Sequence, residues 1–484
     1  MNREFLINII FLISINFLIK VFFLFGIDMT VQNTVGVETY GIYFALLSLT
    51  YLFGIINDMG IQNFNNRTIA QEPKLLKQYF PAIFIIKILL GIAYFLVIFI
   101  AAWLWGYNTL HWHLLFFLAF NMIIYQYIAF LRSNISGLGM YRTDSLISVL
   151  DKSFMIIICS VLLWGNILQQ KFQIEWFVYA QTFSFGLTAL IAFLFLKKHL
   201  IQLQFNFKSE FLFSLIKKTM PYALVIFLMT IYTRIDAIMV ERLLPDGQKE
   251  SGIYGAAYRL LDAANMIGFM FAGLLLPMFA KLLKEKESVI PLVRMSALMI
   301  FSGAISASVI IYFFKHEIGF LLYTEATPYW GEVIGTIMLS FVAGSGGYIM
   351  GTLLTANGNL KKMNWILFSC VLLNIFFNLL LIPKYKALGA AWTTVGTQTF
   401  SMVAQMILAW RIFNWKIDFV ILGRVFLFTI LVILTTSLIY YQIEMDWKVK
   451  FISSIILSIG LAFLLKMLDI QQALAFFTKS SKRD

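Results

Sequence analysis

Apolar residues fill the chain in long runs, and short polar intervals separate them at near-regular spacing. A bilayer core about 30 Å thick needs roughly 20 apolar residues in a helix that rises about 1.5 Å per residue. On that rule the sequence predicts fourteen spans: 5–27, 39–60, 79–105, 110–131, 145–165, 175–196, 220–240, 252–283, 290–314, 329–355, 363–382, 388–411, 418–441 and 449–468. The expected fold class is an all-α polytopic membrane protein, because only helices satisfy the backbone within one segment in lipid. The interrupting stretches are too short for a soluble domain. The opening MNREFLINIIFLISINFLIKVFFLF has a basic flank, a long apolar run and no small-residue cleavage site after it. It reads as a first spanning helix and not as a removable signal.

Composition agrees with the pattern. The 484 residues are 61% hydrophobic and 13% charged, against about 25% charged in a soluble domain. That balance excludes a disordered chain, a disulfide scaffold and a water-soluble enzyme. Cys159 and Cys370 lie inside apolar runs and read as small hydrophobes. The formal net charge of +13 would suggest nucleic acid in a soluble protein. Here its placement gives another meaning. With the N-terminus in the cytoplasm, 24 of the 37 Lys and Arg fall in inside segments and 8 in outside loops. This bias predicts both termini inside and removes nucleic acid as a partner. Lys384 and Lys386 oppose the trend, since their loop is predicted outside. Trp103, Trp105, Trp112, Trp176, Trp330 and Trp447 sit at the outer ends, where an interfacial belt is expected.

Two short patterns recur. Helix two opens with Glu38, Gly41, Ile42, Tyr43 and Ala45, and helix eight with Glu250, Gly252, Ile253, Tyr254 and Ala256, an offset of 211. GLGMYR (Gly137 to Arg142) follows helix four and ANGNLKK (Ala356 to Lys362) follows helix ten; Gly139 and Gly358 align at an offset of 219. These suggest a duplication of six helices. Six is even, so the copies are parallel. The expected organisation is an N-lobe at 1–196, a basic amphipathic cytoplasmic linker at 197–219, a C-lobe at 220–412, and two additional helices with a cytoplasmic tail at 413–484. Two packed six-helix halves fit a transporter, with substrate held near the midplane.

Charges inside spans cost at least ~2.5–3.5 kcal/mol each, so they mark a cavity or a partner. Lys20 lies about 15 residues into helix one, roughly 22 Å deep, and Arg234 at a similar depth in helix seven. Their offset is 214, close to the repeat. Arg259 and Asp262 share one face of helix eight at i,i+3. Asp236 lies on another side of helix seven from Arg234. Asp58 and Lys87 sit at the inner ends of helices two and three, and Asp151 and Lys152 near the start of helix five. Two readings stand. In one, these residues line a water-filled cationic cleft that binds a phosphate, where the planar fork of Arg bonds two oxygens at once. Lys20, Arg234 and Arg259 would then bind substrate, and Asp58, Asp236, Asp262, Asp151 and Lys152 would couple an ion or pair charges. In the other, Lys20, Arg234 and Lys87 snorkel and the acid–base neighbours neutralise one another. Gly344, Gly346, Gly347 and Gly351 in helix ten mark either close helix packing or a hinge, and Pro277 is a candidate kink in helix eight. The four histidines form no metal pattern, and no phosphate-cradling nucleotide loop occurs.

Three blocks carry a resemblance. They are YGIYFALLSLTYLFGIINDMGIQNFNNRTIA, RIDAIMVERLLPDGQKESGIYGAAYRLLDAANMIGFMFAGLLLPMFAKLL and LLTANGNLKKMNWILFSCVLLNIFFNLLLIPKYKALGAAWTTV. In them the chain resembles the polysaccharide transporter, or O-antigen flippase (Wzx-type), family of the multidrug/oligosaccharidyl-lipid/polysaccharide superfamily. The resemblance implies two six-helix lobes that open alternately inward and outward. It implies movement of a polyprenyl-diphosphate-linked oligosaccharide from the inner to the outer leaflet of a bacterial cytoplasmic membrane through a cationic cavity. Arg234 and Arg259 fall within the matched blocks; Lys20 enters through the repeat. No enzymatic activity and no cofactor are expected, with H+, Na+ or the membrane potential alone as the drive. Membrane lipids, and a glycan polymerase or assembly proteins of the same pathway, are the expected partners of a protein working as a monomer. The alternatives are a cation-coupled multidrug or small-molecule exporter of the same superfamily, and a membrane polymerase or ligase, which would need a large outer loop.

Overall fold

A computed structural model describes residues 15–165, 170–200, 209–415 and 418–468. The first residues of span one, residues 201–208 of the linker 197–219 and the tail after Leu468 lie outside the described residues. Among the described residues there are helices and no strands. Thirteen helices are long and apolar enough to cross a membrane. We label them in chain order with two shorter ones: α1 Ile15–Val35, α2 Val37–Asn57, α3 Ile61–Gln71, α4 Pro73–Leu104, α5 Thr109–Gly137, α6 Tyr141–Trp164, α7 Ile174–Lys197, α8 Ser209–Leu243, α9 Gly247–Lys284, α10 Ile290–Phe313, α11 Lys315–Leu322, α12 Pro328–Ala356, α13 Leu360–Phe413, α14 Phe419–Gln442 and α15 Trp447–Leu464. The short ones are α3 and α11.

The difference between thirteen and fourteen lies in α13. Its 54 residues contain one break, at Lys386, with φ 54° and ψ −135°. Spans eleven and twelve are therefore two helices joined by a turn too short to separate them. Tyr329 clasps the turn, its hydroxyl accepting from the Leu388 N–H at 3.3 Å and donating to the Tyr385 carbonyl at 3.4 Å. A Cβ at Gly389 would strike the Leu381 carbonyl, so only glycine lets the two arms leave the turn this closely.

The chain divides into two compact units, Met1–Gly252 and Ile253–Asp484. In the first, Phe80, Ile83, Phe130, Ile135 and Leu196 form a core where α4, α5 and α7 meet α3. In the second, α12 is the centre: 72% of its best apolar window is buried, against 17% for α14 and α15 at the periphery. Helices α14 and α15 lean on α10 through Phe428, Val432 and Ala462 against Ile305, and through Tyr440 and Phe451 against Phe314. Asp418 caps α14 by accepting from the Val420 and Ile421 amides, and it pairs with Arg294 of α10 at 2.7 Å.

Both recurrent patterns carry the same local geometry. Gly139 and Gly358 have φ of 80° and 76°. Around them the amides of residues 138, 139 and 140 bond the carbonyls of 134, 136 and 135, and those of 357, 358 and 359 bond 353, 355 and 354. Both are the same left-handed helix cap, which also ends helices at Gly106, Lys286 and Lys466. The other pattern is reciprocal. A Cβ on Gly41 would strike the Gln248 carbonyl, and one on Gly252 would strike the Val37 carbonyl. Residues 37 and 41 map onto 248 and 252 at the same offset of 211, so α2 and the first turns of α9 meet in a pseudo-twofold contact. Ser251 Oγ donates to the Gly41 carbonyl at 3.2 Å and Gln32 Nε2 to the Gly252 carbonyl at 3.1 Å.

Candidate functional site

The first unit brings most of the predicted intramembrane charges together. In α1, Asn16 precedes Lys20 by one helical turn and ties α1 to α6. Its Nδ2 donates to the Ser145 carbonyl at 3.3 Å, and its Oδ1 accepts from Ser148 Oγ at 2.7 Å. Lys20 is half-buried and lies within electrostatic range of Asp151, Arg132 and Lys152. Asp151 and Lys152 pair at 3.4 Å. The Lys152 ammonium also lies 4.6 Å from the Phe23 ring and 5.4 Å from the Phe185 ring, so two aromatic faces hold it in place. Arg234 of α8 lies over Tyr51 of α2, 5.3 Å from guanidinium carbon to ring centre. Lys20 and Arg234, which the repeat matches across the two halves, thus both belong to the first unit. Asp236, two residues on from Arg234, is fully buried.

Arg132, near the C-terminal end of α5, completes the group. Its Nε and Nη2 donate to Asp144 of α6 at 2.7 and 3.3 Å, a two-pronged bond. Its side chain stays one-third exposed. Arg132 stands one residue past the predicted span 110–131, where a basic residue is ordinary and gives no sign of a site. A second residue escaped for the same reason. Span one was expected to stop at residue 27, yet α1 continues through a π-helical turn, Phe23–Asp28, to Val35. Asp28 is therefore inside the helix and buried, accepting from the Tyr40 hydroxyl at 2.8 Å. A sequence signal existed: no helix breaker separates residue 27 from Gly36.

Asp58 and Lys87 form a closed ion pair. Lys87 Nζ reaches Asp58 Oδ1 and the Asn57 carbonyl, both at 3.1 Å, and is 2% exposed. The snorkelling reading of Lys87 is corrected: the backbone of α2 breaks at Gly54–Asn57 and turns Asp58 inward, which gives the ammonium a partner closer than the interface. At the end of α8, Glu241 accepts from the Tyr107 hydroxyl at 3.0 Å and pairs with Arg242 Nε at 2.6 Å, while the Arg242 guanidinium stacks 3.5 Å over the Tyr107 ring. Burial first, and then the Glu241 charge, push the Tyr107 hydroxyl above the usual tyrosine range.

The second unit has a different interior. Arg259 and Asp262 of α9 lie 3.8 Å apart, the predicted i,i+3 pair. Otherwise α12 and the second arm of α13, which meet along a seam, bury uncharged polar groups, among them Ser340, Ser345, Thr394, Thr397, Gln398, Ser401 and Gln405. The glycines of α12 fit this seam. A Cβ at Gly344 would sit 2.8 Å from Gln398 Oε1, and one at Gly351 3.0 Å from Gln405 Oε1, while one at Gly346 would strike the Met402 sulfur. Gly347 faces open space. The helix runs unbroken through all four, and Gly344, Gly346 and Gly351 lie close against the second arm of α13. Pro277 lies inside α9. Among the described residues no three His, Cys, Asp or Glu side chains converge as for a metal ion.

This polytopic helical fold is of a class that solved structures of a lipid flippase and of multidrug transporters share. The structure of the lipid II flippase MurJ in an inward closed conformation matches 94% of this chain and 98% of its own, at a TM-score of 0.73 and 14% identity. An inward-facing multidrug resistance MATE family transporter of the MOP superfamily matches 81% and 94%, at a TM-score of 0.64 and 13% identity. Within that class the chain belongs to the polysaccharide biosynthesis protein family, whose model matches residues 5–283. The chain is 30% identical over 202 residues to capsular polysaccharide biosynthesis protein CapF of Staphylococcus aureus. That match covers 40% of this chain and spans about half (49%) of the relative. The protein is a multi-pass membrane protein.

Proposed function

We propose that this protein is a flippase of the bacterial cytoplasmic membrane. In this reading it moves a polyprenyl-diphosphate-linked oligosaccharide from the inner to the outer leaflet by alternating access, with both termini in the cytoplasm. The observation that carries this reading is the group of cations inside the first unit, where Lys20, Arg132 and Arg234 are half-buried in helices otherwise built for lipid. Each ionised group at membrane depth costs at least ~2.5–3.5 kcal/mol. A passing diphosphate is an anion that offsets this cost, and guanidinium groups bond its oxygens in pairs. The lipid tail stays in the bilayer while the polar head crosses. An inside-negative potential favours outward movement of anions by about 2.3 kcal/mol per charge per 100 mV. Two phosphate charges therefore gain roughly 4–5 kcal/mol per 100 mV, enough to bias transport without ATP. Asp58, Asp236, Asp262, Asp151 and Lys152 are the groups proposed to couple H+ or Na+ or to pair charges; Lys87 neutralises Asp58, Lys152 pairs with Asp151, and Arg259 pairs with Asp262.

The test is reconstitution in liposomes with a fluorescent polyprenyl-diphosphate oligosaccharide. Its protection from an external impermeant quencher is followed with an inside-negative potential on and off. Protein-dependent, voltage-accelerated movement is expected. The MATE-like fold supports a second reading, a cation-coupled exporter. Export of a cationic dye, with no lipid movement for several sugar heads, would decide for it.

A further inference from the structure

Two tyrosines stand among the charges of the first unit with their rings uncovered. Tyr125 of α5 is 45% exposed and Tyr51 of α2 is 38% exposed. Exposed aromatic rings are ordinary where a helix faces lipid. These two differ in their neighbours. Tyr125 lies within electrostatic range of Tyr51, Asp151 and Arg132, and one side of its ring packs on Phe185 at 5.9 Å. Tyr51 carries the Arg234 guanidinium. Arg132 and Asp151 are paired with Asp144 and Lys152, so these two rings stand beside charged groups where most aromatic residues of a span would meet only lipid or packed side chains. Lys152, bound between Phe23 and Phe185, closes the aromatic wall behind Tyr125.

Such a surface has the chemistry of a pyranose ring. One face of a sugar is a patch of C–H groups that rests on the negative face of an aromatic ring. Its rim of hydroxyls needs donors and acceptors at the edge, here the tyrosine hydroxyl, the exposed part of Arg132 and the Asp151 carboxylate. We infer that Tyr125 and Tyr51 form a carbohydrate platform on the first unit, set beside Arg132 and Arg234, so that one recess reads both the sugar rings and the anion of the substrate. This deepens the flippase reading and rests on it.

The test compares binding of two probes to the purified full-length protein in nanodiscs: a polyprenyl diphosphate bearing a trisaccharide of neutral hexoses, and the same lipid with a bare diphosphate. The wild type is expected to bind the glycosylated lipid more tightly. Tyr125→Leu, which keeps apolar bulk but removes the ring face, should weaken it by about two- to tenfold, the size of one aromatic contact. Bare-lipid binding should be unchanged. Tyr125→Phe should retain most of the preference, and Tyr51→Leu should lose part of it. An unchanged preference in both leucine variants overturns the platform, and so does a wild type that does not distinguish the two lipids. Failure of the wild type to bind either lipid overturns the flippase reading itself. Melting temperatures matching the wild type's show that the variants are folded, and Tyr51→Leu decides the question if Tyr125→Leu does not fold.

Discussion

In the first unit several ion pairs stand among buried neutral polar groups such as Asn65, Asn121 and Gln181. Lys87 is held by Asp58, Arg132 by Asp144, and Lys152 by Asp151 and two phenyl rings. In the second unit the seam beside α12 is built from hydroxyls and amides, and the charged pair Arg259–Asp262 stands on α9. The difference is one of side chains, since the same helix cap occurs in each unit, at Gly139 and at Gly358. Its physical meaning follows from the solvent. Neutral hydroxyls in a helix back-bond to a carbonyl one turn earlier, as Thr393, Thr394 and Thr397 do, and they cost little in lipid. Ions persist there only with partners or water. On the proposed reading the first unit meets the anion, while α12 and the second arm of α13 in the second unit bury uncharged polar groups.

The contrast can be broken at several points. The largest effect should come from Asp58→Ala. It leaves Lys87 buried without its carboxylate and should cost about 3–5 kcal/mol, read as a lowered melting temperature in detergent. Pairing Asp58→Leu with Lys87→Met should restore most of it, because an apolar pair of similar size needs no counter-ion. Next in size are Gly41→Ala and Gly252→Ala. Each drives a methyl into a backbone carbonyl of the other's segment, at about 1–3 kcal/mol as overpacking. Equal losses are expected, and a large loss at one site alone would break the reciprocal contact.

A smaller effect is expected on transport. Arg234→Ala should slow lipid movement about tenfold, or about 1.4 kcal/mol, with folding intact. Arg259→Ala should slow it less, because Asp262 already pairs with that guanidinium. Normal rates in both would remove the cationic site. The smallest effect belongs to the second unit. Gln398→Leu should cost about 0.6 kcal/mol, the scale of one polar contact between membrane helices, and leave the transport rate near wild type. A tenfold slower rate there would place transport chemistry in the seam as well.

Much of the molecule was legible in the chain. Spans of roughly 20 apolar residues were readable because the bilayer imposes one length on every helix. The two caps at Gly139 and Gly358 were readable because a left-handed residue leaves glycine as its local mark. The candidate site was only half legible. Lys20, Arg234 and the Arg259–Asp262 pair were visible as charges in apolar runs. Arg132 and Asp28 were hidden because each stands at a predicted boundary, where a charge is expected anyway. Tyr51 and Tyr125 were hidden because an aromatic residue in a span is most often packed or lipid-facing.

The sequence alone determined that the chain spans a membrane many times, that its patterns repeat, and that ions lie within it. These are local properties, set by composition, period and helix-breaking residues. Only the tertiary structure decided which ion meets which. It gave Lys87 to Asp58, Arg132 to Asp144 and Arg234 to the Tyr51 ring, and it set Gly41 against Gln248. A helix presents a charge every 100° around its axis, and the neighbour on that side comes from a segment tens to hundreds of residues away. No local signal encodes that choice; the packing of the helices does.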